Sequence, residues 1–398
     1  MKDLQKMSPV ELKSCSILAS VYALRMLGMF LILPIFAIYA TNLDSNPTSL
    51  QIGLALGIYG LTQAIFQIPF GMSSDYFGRK KVIYFGLLLF IIGSLIAGYS
   101  TSIEGIILGR SIQGSGAISA VLTALLADIT REEQRTKAMA IIGASIGLTF
   151  ALSLVLSPWL NDVIGVDGIF ILMAILSFTA FLLVYFFIKE PEIRKEKTKT
   201  SADEFLKILK DINLFRMNFG IFVLHATQIS MFMIIPIYLV NQGGINLSDH
   251  WQIYLPVLFF SFLLMIPIII FSEKFNKIKI AFLSSIIILF VAQLVFIIFG
   301  NTLFGIILAL LIYFVGFNFL EASLPSLVSK IAPINKKGLA LGVYNTSQSL
   351  GIFVGGALGG LITKVYGYNA SFIFCVALIF LWFVLSLGMK VGNYKKAN

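Results

Sequence analysis

At 398 residues, with 58% of them hydrophobic, 12% charged and a mean hydropathy of +0.94, the chain lacks the polar surface that a water-soluble fold requires. A bilayer-crossing helix takes about 20 mostly apolar residues, so a chain of this length is filled by about twelve of them and a large soluble catalytic domain is excluded. The net charge of +10 then belongs to the connections between helices rather than to a nucleic-acid-binding face.

The first fifteen residues are polar, and the apolar run after them is too long for a signal-peptide core, so no cleaved leader is expected. Long apolar runs predict span 1 over 16–40, span 2 over 49–71, span 3 over 82–100, span 4 over 103–128, span 5 over 138–159 and span 6 over 169–188. Residues 189–213 form the one long polar stretch, expected as a linker with a short surface helix from about Ala202. Spans 7 to 12 follow over 214–241, 251–272, 280–300, 303–329, 339–363 and 370–389. The expectation is an all-α membrane protein of twelve transmembrane helices: a six-helix bundle at 1–188, a cytoplasmic linker at 189–213 and a second six-helix bundle at 214–398.

Lysine and arginine collect on the cytoplasmic side of short loops, and here they recur in every second connection. Lys2, Lys6 and Lys13 precede span 1; Arg79, Lys80 and Lys81 follow span 2; Arg131, Arg135 and Lys137 follow span 4. The linker, the loops at 274–279 and 330–337, and the C-terminal tail carry the others. Of the 29 lysines and arginines, only Lys364 falls on the opposite side and only Arg25 and Arg110 fall deep within spans; Arg216, at the start of span 7, counts with the linker. Both termini are therefore expected in the cytoplasm of a bacterium, with the chain multi-pass in its inner (plasma) membrane. Cys15 and Cys375 lack metal-ligand or redox spacing, so no metal and no cofactor is expected.

Between spans 2 and 3 runs Gly71-Met72-Ser73-Ser74-Asp75-Tyr76-Phe77-Gly78-Arg79-Lys80-Lys81. This loop resembles the G-x-x-x-D-x-x-G-R-R/K-R/K signature of the major facilitator superfamily. Asp128, at the end of span 4, and the Arg135 that follows resemble the superfamily's next inner-loop element, and Gly109-Arg110-Ser111-Ile112-Gln113-Gly114-Ser115-Gly116 resembles its R-x-x-Q-G-x-G element. Segments around Arg25, Tyr59 and Tyr344 look like the bacterial YajR group within it. The resemblance implies the twelve-helix fold, usually monomeric, and a conformational latch of Gly71, Asp75, Gly78, Arg79, Lys80, Asp128 and Arg135. In the inward-closed form the arginine matching Arg79 is held between the two carboxylates, an interaction worth ~1–3 kcal/mol in bias. Members of the group carry a soluble domain after span 12, whereas this chain runs to Asn398, so that domain is expected to be missing. Gly143 and Gly147, with Ser157-Pro158, match the antiporter motif of span 5 in part; small residues that let helices pack explain the glycines equally well.

Four ionisable groups fall deep within spans: Arg25, Arg110, His225 and Glu321, on spans 1, 4, 7 and 10. Each costs ~2.5–3.5 kcal/mol in hydrocarbon even on the lenient scale and needs a reason. The resemblance makes those spans the lining of a central cavity. Glu321 is the first choice for a proton carrier, because protonation removes the charge that an apolar wall penalises; its alternative is a neutral acid bonded to Asn318 or Asn345. His225 is the second, against a plain interhelical hydrogen bond. Arg25 requires a counter-ion, water, an anionic substrate or helix-end carbonyls. Gln63, Gln67, Asn318, Tyr344, Asn345 and Gln348 complete the expected polar lining, with Phe30 and Phe36 as apolar wall, although the two glutamines serve equally as interhelical hydrogen-bonding groups.

The expected function is secondary active transport: proton-coupled efflux of a small amphipathic organic compound in exchange for protons, by rocker-switch alternating access. Proton symport or uniport of an organic anion is the alternative, and a non-transporting membrane sensor the more distant one. No phosphate-cradling loop, nucleophile with base or paired catalytic carboxylates occurs, so neither an ATP-driven pump nor an enzyme is expected. The expected partners are the small-molecule substrate, protons and the lipid bilayer, with no nucleic acid.

Overall fold

The computed structural model describes residues 7–43, 46–131, 134–189, 202–333 and 336–389. Among these, fifteen α-helices and no strands occur. Span 1 comprises α1 (Pro9–Leu31) and α2 (Phe36–Thr41); span 2 is α3 (Ser49–Phe77); span 3 is α4 (Arg79–Tyr99); span 4 comprises α5 (Ile103–Ser115) and α6 (Ser119–Ile129). Spans 5 and 6 form one continuous element, α7 (Arg135–Phe187), and α8 (Ala202–Lys210) is the expected surface helix. Span 7 comprises α9 (Ile212–Phe232) and α10 (Ile235–Asn241); spans 8 to 12 are α11 (Trp251–Lys274), α12 (Ile278–Phe299), α13 (Leu303–Ile331), α14 (Lys337–Tyr366) and α15 (Tyr368–Leu387). Linker residues 190–201, and with them Lys2, Lys6 and the C-terminal lysines, lie outside the described residues.

Eleven described helical stretches are long and apolar enough to cross a membrane, and one of these, α7, contains two spans. Its 53 residues would reach about 80 Å as one rod, but Gly165 (φ 68, ψ 175) breaks it. The loop predicted at 160–168 is therefore helix except for a one-residue turn. Gly78 (φ 94, ψ 150) turns span 2 into span 3 and Gly367 (φ 83, ψ 177) turns span 11 into span 12 in the same way. That backbone region is accessible essentially to glycine alone. Between spans 8 and 9 the corresponding turn has Asn276 at φ 52, and asparagine is a residue type that tolerates the left-handed region. The predicted loop at 71–81 is thus mostly helix, with Gly71 inside α3 and only Gly78 serving as a turn.

Spans 1 and 7 break near the same place. Met29-Phe30-Leu31-Ile32-Leu33-Pro34-Ile35-Phe36 and Met231-Phe232-Met233-Ile234-Ile235-Pro236-Ile237-Tyr238 are a repeat, and in both the proline lacks the N–H that would continue the ladder. Span 4 breaks at Gly116-Ala117-Ile118. Span 1 begins earlier than predicted, at Pro9, because Ser8 and Glu11 form a capping box.

The latch end carries Asp75, Arg79 and Asp128; the far end is the opposite one. At the far end the halves meet backbone to backbone. A Cβ on Gly53 would overlap the Gly356 carbonyl oxygen, one on Gly60 the Ser349 carbonyl, and one on Gly360 the Ser49 carbonyl. Phe150 of span 5 lies 5.8 Å from Phe317 and 6.1 Å from Phe314 of span 10, ring centre to ring centre. A single core runs through both halves there. At the latch end the first half keeps a separate core around Leu18, Ile83, Leu122 and Ala180, and Gly143 and Gly147 of span 5 and Gly338 and Gly342 of span 11 face open space. The molecule is closed at the far end and parted at the latch end. Large apolar side chains such as Phe259, Leu263, Ile266 and Ile270 point outward from span 8, as a lipid-facing helix requires.

Candidate functional site

Arg25 is 0% exposed and occupies the break in span 4. Its Nη2 donates to the Gly116 carbonyl (3.2 Å), just past the end of α5, which also accepts from Ile118 N–H (2.8 Å), and to the Tyr59 hydroxyl (2.8 Å), while Nη1 donates to Ser119 Oγ (2.7 Å). A cation suits a helix C-terminus, where partial negative charge collects. This is the helix-end pairing left open for Arg25 by the sequence, and its Nε has no partner.

Arg110 packs its guanidinium 5.1 Å from the Tyr59 ring centre. It donates from Nε to the Ala55 carbonyl (3.2 Å), from Nη2 to the Leu56 carbonyl (3.4 Å) and from Nη1 to Gln113 Oε1 (3.0 Å). Gln113 Nε2 passes on to Ser94 Oγ at 2.8 Å. Glycine permits this closeness: a Cβ on Gly114 would overlap Tyr59 O. Tyr59 therefore joins the two buried arginines, by its hydroxyl on one side and its ring on the other. Sequence reasoning placed Tyr59 in a family-like segment but not in the site; lying four residues before Gln63 and eight before Gln67 on one helix face was the signal.

The second half contributes Glu321, His225 and Gln348, from spans 10, 7 and 11. His225 Nδ1 stands 4.0 Å from Glu321 Oε2, and its Nε2 lies 2.8 Å from Gln348 Nε2. An amide nitrogen only donates, so ring Nε2 accepts and the proton of a neutral imidazole sits on Nδ1, towards the carboxylate. The Glu321 side chain is 32% exposed although it lies ten residues from the latch end of its span, so the parted latch end reaches it. One Asn318 amide N–H goes to Ser261 Oγ at 3.0 Å, and Glu321 Oε2 has no hydrogen-bond partner. Tyr344 is buried and Asn345 half-buried. Gln63 and Gln67 are buried, and Gln63 Oε1 and both amide atoms of Gln67 are without partners.

A small cavity lies where the halves meet. Met29, Phe30, Leu33, Leu56, Tyr59 and Arg110 line it from the first half. His225, Gln228, Ile229 and Ile352 line it from the second. Arg110 and His225 thus share one void, with Arg25 behind Tyr59 and Glu321 behind His225. Phe36 is buried outside this lining.

At the latch, Arg79 Nη1 meets Asp75 Oδ1 at 2.8 Å and Ser74 Oγ at 2.6 Å, and Nε meets Asp128 Oδ2 at 2.9 Å. All of these residues belong to the first half, so the pairing persists here with the latch end parted, although the family resemblance associates it with the inward-closed form. Arg135 donates instead to the Ala127 carbonyl (3.2 Å), and Lys80 caps the end of span 6 through the Ile188 carbonyl (2.6 Å). An ion pair that sequence reasoning missed, Arg131 Nη2 to Glu11 Oε2 at 2.9 Å, ties the start of span 1 to the loop after span 4.

The profile of the Major Facilitator Superfamily matches residues 18–356 and 325–396. The chain is 41% identical over 391 residues to the inner membrane transport protein YajR of Escherichia coli, covering 98% of this chain and 86% of that one. It is 26% identical over 395 residues to multidrug resistance protein 2 of Bacillus subtilis, covering 91% and 90%. Among solved structures, a bacterial homologue of the human lysosomal transporter Spinster, in an inward-facing and occupied conformation, superposes with a TM-score of 0.76 at 12% identity, covering 96% and 97%.

Proposed function

The chain belongs to the major facilitator superfamily of membrane transporters, and on that premise we propose that it is a proton-coupled secondary transporter of a small amphipathic organic compound, working by rocker-switch alternating access. The carrying observation is the cavity between the halves, with Arg110 on one wall and His225 on the other. A site on the seam changes its exposure when the halves rock, and so faces either compartment in turn. Glu321 carries the proton in this reading and His225 relays its charge state to the cavity. The multidrug-resistance name of the Bacillus relative supports export of organic compounds; exchange for protons is this reading's own step, resting on Glu321 and His225 beside the cavity. Proton symport or uniport of an organic anion is the second reading, favoured by two buried arginines that meet only neutral groups.

The inner membrane is the proposed location, supported by the E. coli relative. Both termini and the latch face the cytoplasm, supported by the loop charges, and the protein acts as a monomer. Proteoliposomes loaded with a pH-sensitive dye test the coupling. Adding an amphipathic panel should move protons, against the compound for exchange and with it for symport. Proton movement unaffected by every member of the panel would reject proton coupling.

A further inference from the structure

Resting on the reading of the chain as a carrier of small organic molecules, we propose that its substrate is an organic anion with a short apolar body, the acidic head seated against Arg110. Arg110 is the one permanently charged side chain lining the cavity, and no carboxylate lines it. Every acceptor its guanidinium meets is neutral: two carbonyls, an amide and an aromatic face. Arg25 likewise meets only neutral groups, a carbonyl, two hydroxyls and the Phe90 ring at 6.0 Å, and its buried Nε has no hydrogen-bond partner. The ion pairs of the latch, of Glu11 with Arg131 and of Glu321 with His225 include neither Arg25 nor Arg110.

Dipoles replace water around an ion but leave its charge in place. The two arginines share Tyr59, so their fields add at one wall of a low-dielectric void. An anion entering there supplies the missing counter-charge; an organic cation adds a third like charge. Glu321 is not part of the cavity lining, and the basic group it faces is His225 Nδ1, at 4.0 Å. Met29, Phe30, Leu56, Ile229 and Ile352 make the remaining surface apolar; the void as it stands admits little more than a water, so a hydrocarbon body enters only as the halves move apart. Arginines that merely fastened helices would leave ligand binding indifferent to the sign of charge.

The test titrates purified protein in lipid nanodiscs with 4-ethylbenzoate, 4-ethylbenzyl alcohol and 4-ethylbenzylammonium, read by calorimetry and thermal melting. The benzoate should bind about tenfold more tightly than the alcohol and on the order of a hundredfold more tightly than the ammonium. Arg110→Gln should erase this preference, and Arg110→Lys, which keeps the charge, should retain it. Equal binding of the three, tighter binding of the ammonium, or binding of none overturns the inference, as does a preference undiminished in Arg110→Gln. Cysteine labelling at the two ends needs no ligand and tests the carrier reading separately. Ends that label in alternation around a cavity preferring the ammonium overturn the anion and keep the carrier; an anion preference in a protein whose ends never alternate does the reverse.

Discussion

His225 Nδ1 faces Glu321 Oε2 across 4.0 Å, too far for a hydrogen bond and close enough for one to form with a small side-chain shift. Both atoms are buried and unpartnered. On the proposed reading, a hydrogen bond formed there would join a carboxylate reached from the latch end to an imidazole lining the central cavity, so that proton gain or loss at Glu321 would be felt in that cavity.

Replacing Glu321 by Gln keeps the shape and removes the titration. Substrate binding should survive, while the dependence of transport on an imposed proton gradient should vanish in proteoliposomes. A variant whose pH dependence matches the wild type would remove Glu321 from the proton pathway.

The far end closes through glycine backbones, so bulk there should hold it open. Gly53→Val places side-chain atoms where the Gly356 carbonyl lies. In a background with Cys15 and Cys375 replaced by serine, a reporter cysteine at Gly147 should label from the latch side about tenfold more slowly, since overpacking of ~1–3 kcal/mol falls on the far-end-closed form alone. Unchanged labelling would show that the spans 2 and 11 contact does not control access.

Arg79 forks two half-exposed carboxylates inside one bundle. Arg79→Gln should therefore destabilise the first half by roughly 1–2 kcal/mol, because partly exposed ion pairs are worth little individually. Thermal melting measures it. The larger effect on the inward–outward equilibrium implied by the family resemblance would instead appear as a change in Gly147-cysteine labelling beyond twofold.

The one-residue turns make a sharper prediction. Gly165→Ala and Gly367→Ala should each cost ~1–3 kcal/mol, since a Cβ is strained at their φ and ψ. Nothing lies within 4 Å of either Cβ position, so backbone conformation is the sole cause. Asn276→Gly, at a milder left-handed turn, should be close to neutral. Equal losses at all three would assign the effect to packing.

Twelve spans and the family were legible in the sequence because crossing a bilayer is a local property: each window of apolar residues carries its own transfer free energy. Buried Arg25, Arg110, His225 and Glu321 stood out for the same reason. Their partners did not. Arg25 reaches Gly116 only because span 4 breaks there, and Tyr59 joins two arginines only because Gly114 lets span 4 press on span 2. Pairing of Arg131 with Glu11, and of Lys80 with the end of span 6, likewise depends on which helix ends become neighbours. Rotation, tilt and breakage of packed helices decide these contacts, and they answer to the fit of all the spans together, which no single window of sequence contains.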